Sequence, residues 1–392
     1  MGEKNSKLNI AMICDPIGNN KSGVVVSTLR FSKLLKERGH HVIFIGAQSK
    51  EHKDTSDYDG IRAYRYRSLP IPKSGGWHLA FPTVRELKKV FKQENINIVH
   101  IILPMSGALV AIKAARELDI KIVAHSHSQP ENLFADMPKI IQPALNSLWN
   151  NFLIWIYGKA DLLIYPTEMA KELLDNLNKK HRNSVVISNG INLKHFYPMP
   201  VSDFYSKFNI PTNTTKLLFV GRLFPEKSID TLLKALPYIL AKNPNTYAMI
   251  VGGGHLKSKL EKLTKDIGIE KNVNFLGIVS EEDKVHAYNA CDVFILPSIA
   301  ELEGMVVLEA MACGKPIIIS DSKMSASRFF VEKNGFLFKN KNPRDLADKI
   351  STLVLDAALR NKMGETSLEL VKKYDIQKSV LKLENAYRSV LE

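Results

Sequence analysis

The sequence predicts an α/β protein made of two Rossmann-like, doubly wound parallel-sheet domains. Three observations carry that prediction. Short β-branched or apolar runs alternate with amphipathic helical segments along the chain, the pattern of parallel strands covered by helices. The alternation comes as two similar series, separated near Tyr197 to Thr215 by a passage that collects prolines and turn formers. At 392 residues the chain also exceeds what one hydrophobic core usually organises.

In the first series the expected strands are residues 8–14, 41–46, 61–66, 96–102, 121–126, 161–166 and 184–189. A helix from Ser27 to Gly39 sets Leu29, Phe31, Leu34 and Leu35 near one face and ends on a glycine, which tolerates the left-handed turn a helix terminus needs. The second series runs through residues 216–221, 247–252, 273–277, 292–297 and 315–320, and a last helical stretch from about Ile376 to Leu391 follows no further strand. The expected organisation is therefore an N-terminal domain over 1–198, a C-terminal domain over 199–375, and a helix over 376–392 that crosses back to the N-terminal domain.

Charge is uneven. Residues 1–198 carry 27 Lys and Arg against 17 Asp and Glu, whereas residues 199–392 carry 27 against 23. A basic first half suits an anionic partner such as a membrane surface, a phosphorylated acceptor or nucleic acid, although an ordinary lysine-rich surface gives the same count. No run reaches the roughly 18 to 20 apolar residues of a membrane span, and the apolar segment at the start is too short for a signal peptide. A cytoplasmic protein is expected, peripheral at most on the inner face of the membrane. Cys14, Cys291 and Cys313 are odd in number and lack metal-ligand spacing, so they are expected in the core.

The strongest local signal is ELEGMVVLEAMACGKPIIIS, residues 301–320. Glu301 stands in the loop after a strand, Gly304 opens a helix, and the free N–H groups of Gly304, Met305 and Val306 would face the open end of the sheet, where a diphosphate could sit. Glu309 lies more than a turn further on, within reach of vicinal ribose hydroxyls. Paired glutamates on a helix are more often merely solvated, so the neighbouring loops matter. GRLFPEKSID, residues 221–230, offers Arg222 and Lys227 at the same sheet end, two cations able to clamp a diphosphate and neutralise charge on a leaving group. In VGGGHLKSKL, residues 251–260, Gly252, Gly253 and Gly254 would let a ligand approach the backbone. Three such junctions at one sheet edge favour a binding crevice.

These segments, together with SGVVVSTLRFSKLLKERGHHV near the start, SVVISNGINLKHFYP at the interdomain passage and VNFLG with its following loop, resemble the family-4 glycosyltransferases of the GT-B fold over essentially the whole chain. The resemblance implies retaining transfer from a nucleotide diphosphate sugar such as UDP-glucose or GDP-mannose, without a metal or other cofactor. It implies that Glu301 lies near the donor sugar and diphosphate, that Glu309 holds the ribose, and that Arg222 and Lys227 contact the diphosphate. Gly277 and Ile278 would contact the base, and Gly23 would meet the diphosphate from across the cleft. Where the family commonly reads E-P-F-G, this chain has Leu302 and Glu303 before Gly304, an extra carboxylate near the sugar that leaves donor identity open.

HSHSQPENLF, residues 125–134, is similar to the family's histidine loop, with His127 facing the donor sugar, Glu131 and Asn132 nearby, and His125 as the competing choice. No third ligand with suitable spacing supports a metal at this pair. The Asp57-Tyr58-Asp59 pattern, which could suggest a metal, precedes a strand and reads as a turn. An acceptor site is expected in the basic, aromatic segment 62–82, through Arg65, Arg67, Lys73 and Trp77, while residues 146–158 form either a buried helix or an apolar surface. Together they suit an anionic membrane surface and a lipid acceptor. A soluble saccharide acceptor and a nucleotide-sugar epimerase are the alternatives, and no nucleic acid is expected.

Overall fold

The computed structural model describes residues 7–18, 23–48, 56–71, 76–130, 134, 137–177, 183–201 and 203–392. The chain divides into two compact units, one formed by Met1–Pro130, Lys139–Asn189 and Ile376–Glu392, the other by Glu131–Pro138 and Gly190–Asp375. The passage falls after Asn189, earlier than the proline-rich stretch. Ile191 and Phe196 are the reason: both are fully buried in the second unit's core, and Ile191 bridges to Asp375.

Among the described residues of the first unit, one sheet carries the strands in the spatial order Ser184–Val186, Leu162–Tyr165, Lys121–His125, Ile98–Ile101, Asn9–Ile13, His41–Ala47, Ile61–Tyr66 and Ser56–Tyr58. All neighbours pair in parallel except the last two. The central strands are buried on both faces, as parallel strands covered by helices must be. The helix Gly23–Glu37 starts before the expected Ser27 and buries Val25, Phe31 and Leu35, leaving Leu29 and Leu34 only partly covered. Beside it packs the helix Ile376–Ser389, whose Ile376, Val380, Leu383 and Tyr387 form one buried stripe at helical spacing.

Two features depart from the sequence reading in this unit. Asp57 and Tyr58 belong to a short antiparallel strand, so that only Asp59 (φ 54°) and Gly60 (φ 83°) make the turn; Lys33 pairs with Asp59 at 2.6 Å. Ser68–Pro70 and His78–Ala80 form a separate two-stranded antiparallel ribbon within the basic, aromatic segment 62–82, for which the sequence reading has no such strands.

The second unit holds a parallel sheet in the order Val273–Gly277, Thr246–Val251, Thr215–Val220, Val293–Leu296, Ile317–Ser320 and Gly335–Phe338. The last strand has no counterpart in the sequence reading, because its four residues begin on the glycine of an Asn-Gly pair and look like a turn exit. Gly335 is required there: a Cβ would lie 1.8 Å from the Ile317 carbonyl oxygen. Strand order reverses between Thr215–Val220 and Val293–Leu296, which opens a crevice at their carboxyl ends. The three cysteines are free and buried, and among the described residues no helix is long and apolar enough to cross a membrane.

Candidate functional site

The segments that follow the two switch-point strands of the second unit bring the expected charged residues together. After Thr215–Val220 the chain turns through Gly221 and enters a 3-10 turn, Pro225–Lys227; after Val293–Leu296 it makes the two-residue strand Ala300–Glu301. The Ile299 N–H donates to the Glu226 carbonyl at 2.7 Å and ties one loop to the other. Lys227 Nζ then meets Glu301 Oε1 at 2.5 Å, with both side chains about one-eighth exposed. Arg222 Nη2 donates to Glu226 Oε1 at 2.9 Å, and its guanidinium carbon lies 4.6 Å from the centre of the Phe224 ring. Glu226 is buried and, among the described residues, its Oε2 has no hydrogen-bond partner and Arg222 is the one side chain on that carboxylate. Sequence reasoning missed Glu226, although its position four residues after Arg222 was a usable signal.

Gly304 takes a left-handed conformation (φ 89°) immediately before the helix Met305–Ala312, whose first turn has no side-chain cap. An uncapped helix start leaves N–H groups for an anion. Glu303 is buried, 3% exposed, and its backbone carbonyl accepts from Ser327 Oγ at 3.1 Å. Burial foremost, and then the Glu303 and Glu332 charges, raise the Tyr374 phenol. The extra carboxylate is thus enclosed. Glu309 is also buried; Tyr288 donates to its Oε2 at 2.8 Å and Lys284 to its Oε1 at 3.3 Å. These two partners come from the helix Glu281–Ala290 and had no sequence signal.

The glycine-rich loop corrects one expectation. A Cβ on Gly252 would sit 1.9 Å from the Gly221 carbonyl oxygen, and one on Gly254 would sit 2.4 Å from that of Leu223. Those two glycines are needed by the protein's own backbone, so their presence says nothing of a ligand. Gly253 lies against the Ile278 side chain, which is 59% exposed beyond Gly277. Gly277 (φ 74°) has open space where a Cβ would project.

In the first unit the switch-point strands end beside Asp15 and a column of histidines. Asp15 is buried, and its Oδ2 accepts from Ala80 N, Ser106 Oγ and Gly107 N at 3.0–3.2 Å, while Oδ1 has no partner among the described residues. Burial pushes its carboxyl up to about 6, against the lowering pull of those three donors. Because the folded chain holds this proton more tightly than the unfolded one, the associated stability is complete below the ordinary carboxylate value and is lost as pH rises through about 6. The loss amounts to about 3 kcal/mol. Asp15→Asn, which keeps an acceptor for the three donors, is expected to flatten that part of the pH dependence; urea melts at about pH 4.5 and about pH 7.5 measure it, and equal slopes in both proteins would count against it.

His125, at the end of Lys121–His125, is 2% exposed. Its ring stacks on His127 at 3.9 Å between centroids and on His100 at 5.7 Å. Of the expected pair only His127 keeps appreciable exposure. Burial drives the His100 and His127 imidazoles down to about 3 and the His125 imidazole well below its ordinary value, with repulsion from His127 adding to burial for His100 and His125. All three are neutral at physiological pH. Gly23 opens its helix exposed, with nothing within 4 Å of where a Cβ would stand, so packing does not demand glycine there.

The expected acceptor residues do not form one face. Arg65 is 5% exposed; its Nη1 donates to the Ile17 carbonyl at 3.1 Å and its guanidinium lies near the Tyr58 ring, so it cannot belong to an exposed basic surface. Arg67 is exposed, Trp77 packs against the core, and Lys73 lies outside the described residues, as do Glu131 and Asn132. The helix Gln142–Tyr157 is not buried. It contains no charged residue, buries only Leu153, Ile156 and Tyr157, and exposes Leu148 (67%) and Trp155 (53%), with Ile140 (88%) just before it. Lys159 Nζ lies 4.3 Å from the Trp155 ring centre. Among the described residues no group of three or more His, Cys, Asp or Glu side chains could hold a metal ion.

Residues 202–369 match the family described as Glycosyl transferases group 1, and residues 21–195 match Glycosyltransferase Family 4. The chain is 26% identical over 319 residues to an alpha-monoglucosyldiacylglycerol synthase of Streptococcus pneumoniae, covering 79% of this chain and 70% of that protein. It is 26% identical over 337 residues to a GDP-mannose-dependent monoacylated alpha-(1-6)-phosphatidylinositol monomannoside mannosyltransferase of Corynebacterium glutamicum, covering 82% and 83%. Its fold is similar to that of Anabaena HepE in complex with UDP-glucose, with a TM-score of 0.78, 18% identity, and coverage of 97% of this chain and all of that one.

Proposed function

We propose that this chain, which belongs to the family-4 glycosyltransferases of the GT-B fold, moves a hexose from a nucleotide diphosphate sugar to a hydroxyl of a membrane lipid of the diacylglycerol or phosphatidylinositol type. Glycosyl transfer itself follows from the family. The observation that carries the site assignment is the pairing of Lys227 with Glu301, beside Arg222, at the strand reversal of the second unit.

Breaking a sugar–diphosphate bond builds negative charge on the leaving phosphate and positive charge at the anomeric carbon. Arg222, Lys227 and the amides at the start of the helix Met305–Ala312 stabilise the first, which lets transfer proceed without a metal ion. Glu301 sits where it can neutralise Lys227 and touch the sugar. Glu309, held by Tyr288 and Lys284, accepts from the ribose, and Gly277 and Ile278 border the base. The neutral His127 imidazole offers a hydrogen bond to the sugar without adding positive charge beside a carbon that is itself becoming positive. In a front-face displacement with retention, the acceptor proton passes to the leaving phosphate oxygen, so no side chain is needed as general base.

The lipid acceptor rests on two supports. Both relatives described above are named for lipid-linked acceptors. An uncharged helix that exposes Leu148 and Trp155, with Lys139 before it and Lys159 after it, suits the boundary of an anionic bilayer. Incubation with a panel of nucleotide sugars, with and without vesicles containing diacylglycerol or phosphatidylinositol, should yield a hexosyl lipid by mass spectrometry, and EDTA should not change the yield. Transfer only to a soluble saccharide would reject the lipid acceptor, and conversion of the donor to an epimer without any acceptor would reject transfer. The double substitution Leu148→Asp, Trp155→Ser should weaken co-sedimentation with anionic vesicles by at least roughly tenfold; unchanged sedimentation would remove this helix from the membrane contact.

A further inference from the structure

The three-histidine column continues past the sheet. Tyr387, fully buried on the C-terminal helix Ile376–Ser389, lies with its hydroxyl 2.6 Å from His100 Nδ1, and its ring meets the His100 ring edge-on with centroids 5.6 Å apart. His100 and His125 are nearly coplanar in orientation, 8° between ring planes, and His125 then lies face to face with His127. Nε2 of both His100 and His125 is buried with no partner among the described residues. Buried imidazole nitrogens without a partner are costly compared with apolar side chains of the same size. Their arrangement is therefore hard to explain by stability alone.

We propose that Tyr387 is a positioning residue for sugar transfer, acting through its hydrogen bond to His100 and the stacked rings of His100 and His125 to fix the orientation of the His127 imidazole. This rests on the reading that His127 faces the donor sugar. The physical logic is one of restraint. A ring stacked on one face only can slide and tilt; His127 is the partly exposed member of the column, so its orientation is set by His125 behind it. The His125 ring is in turn parallel to that of His100, with centroids 5.7 Å apart. His100 has a single recorded hydrogen bond, and that bond comes from the last helix of the chain. The only other titratable groups recorded as acting on the three imidazoles are the imidazoles themselves. No carboxylate competes to turn the column, so the Tyr387 hydroxyl is its one directional anchor among the described residues.

The C-terminal helix thereby enters the chemistry although it stands far from His127 in sequence. Misplacement of a reacting group by a fraction of an ångström lowers turnover without lowering substrate affinity in proportion. Tyr387→Phe keeps the ring and its packing and removes only the hydroxyl.

The test compares wild type, Tyr387→Phe, His127→Ala and the double variant, each as the full chain with the donor identified from the panel. Tyr387→Phe is expected to lower kcat by about tenfold, with donor KM within about twofold of wild type. In the double variant it should add nothing to the loss caused by His127→Ala, because the bond acts only through that ring. Histidine side-chain nitrogen NMR provides a readout independent of activity: the His127 resonances should shift or broaden in Tyr387→Phe while nucleotide diphosphate binding stays intact. His100→Asn, whose amide can still partner the Tyr387 hydroxyl, should unstack the column and reproduce the kcat loss. Wild-type kcat in Tyr387→Phe, or an additive loss in the double variant, overturns the positioning role while leaving His127 in place. Full activity in His127→Ala overturns the reading of His127 and the positioning role with it.

Discussion

Lys227→Ala is expected to lower kcat about a hundredfold, a loss on the order of 3 kcal/mol in transition-state stabilisation, and Glu301→Ala is expected to lower it as much. The two side chains are one unit. At 2.5 Å and with little exposure, each is the other's principal countercharge, so truncating either leaves a poorly solvated charge behind. The remaining ammonium of Glu301→Ala is free to bind the diphosphate more tightly in the ground state, which does not speed the chemistry. The remaining carboxylate of Lys227→Ala repels the diphosphate outright. Donor KM should accordingly rise in Lys227→Ala and stay level or fall in Glu301→Ala, while kcat collapses in both. The double variant should be no slower than the worse single one, as groups acting together show strongly non-additive losses. Steady-state rates on the four proteins, with nucleotide diphosphate binding as the check on folding, decide the matter. Full activity in both single variants would reject this site.

Arg222, Lys227, Glu301 and Glu309 were readable because each sits at a short, fixed offset from a strand end or a helix start. Arg222 follows the strand Thr215–Val220 by two positions, and Glu301 and Glu309 bracket a helix start in one continuous segment. What the sequence hid is what arrives from elsewhere in the chain. Tyr288 and Lys284 reach Glu309 from a separate helix, and His100 meets His125 only because their strands are neighbours in a particular register. Arg65 is a different failure, since the period-two rule applies to it directly. In Ile61–Tyr66 it shares a face with Ile61 and Ala63, both buried, and the alternation places it inside. Reading the segment by composition, as basic and aromatic, put it on the surface. The short strand Gly335–Phe338 was lost for lack of length, and its glycine, which looked like a turn residue, serves close approach to Ile317 instead.

Gly304→Ala should be a severely damaging single-methyl change in the second unit's site, costing both stability and donor affinity. Two independent penalties meet at this position. With φ 89° and ψ 59° the backbone is left-handed, a conformation that charges a side chain about 1–2 kcal/mol. The added Cβ would also fall 2.0 Å from Ser327 Oγ, far inside contact distance. Ser327 cannot simply rotate away, because it is fully buried and its hydroxyl donates to the Glu303 carbonyl. Relief must come from moving the Glu303–Gly304 backbone, at a further cost on the order of 1–3 kcal/mol. That movement displaces the first turn of the helix Met305–Ala312, whose amides are proposed to receive the diphosphate, and it shifts Glu301 three residues upstream. Urea melts should show a stability loss of about 2–5 kcal/mol in total, and nucleotide diphosphate titration should show weaker binding at concentrations of denaturant where the protein is still folded. Adding Ser327→Ala removes the clash but not the left-handed strain. The double variant should therefore recover part of the stability and only part of the affinity. Gly304→Ala with wild-type stability and wild-type affinity would mean that this turn neither needs its glycine nor orients the donor.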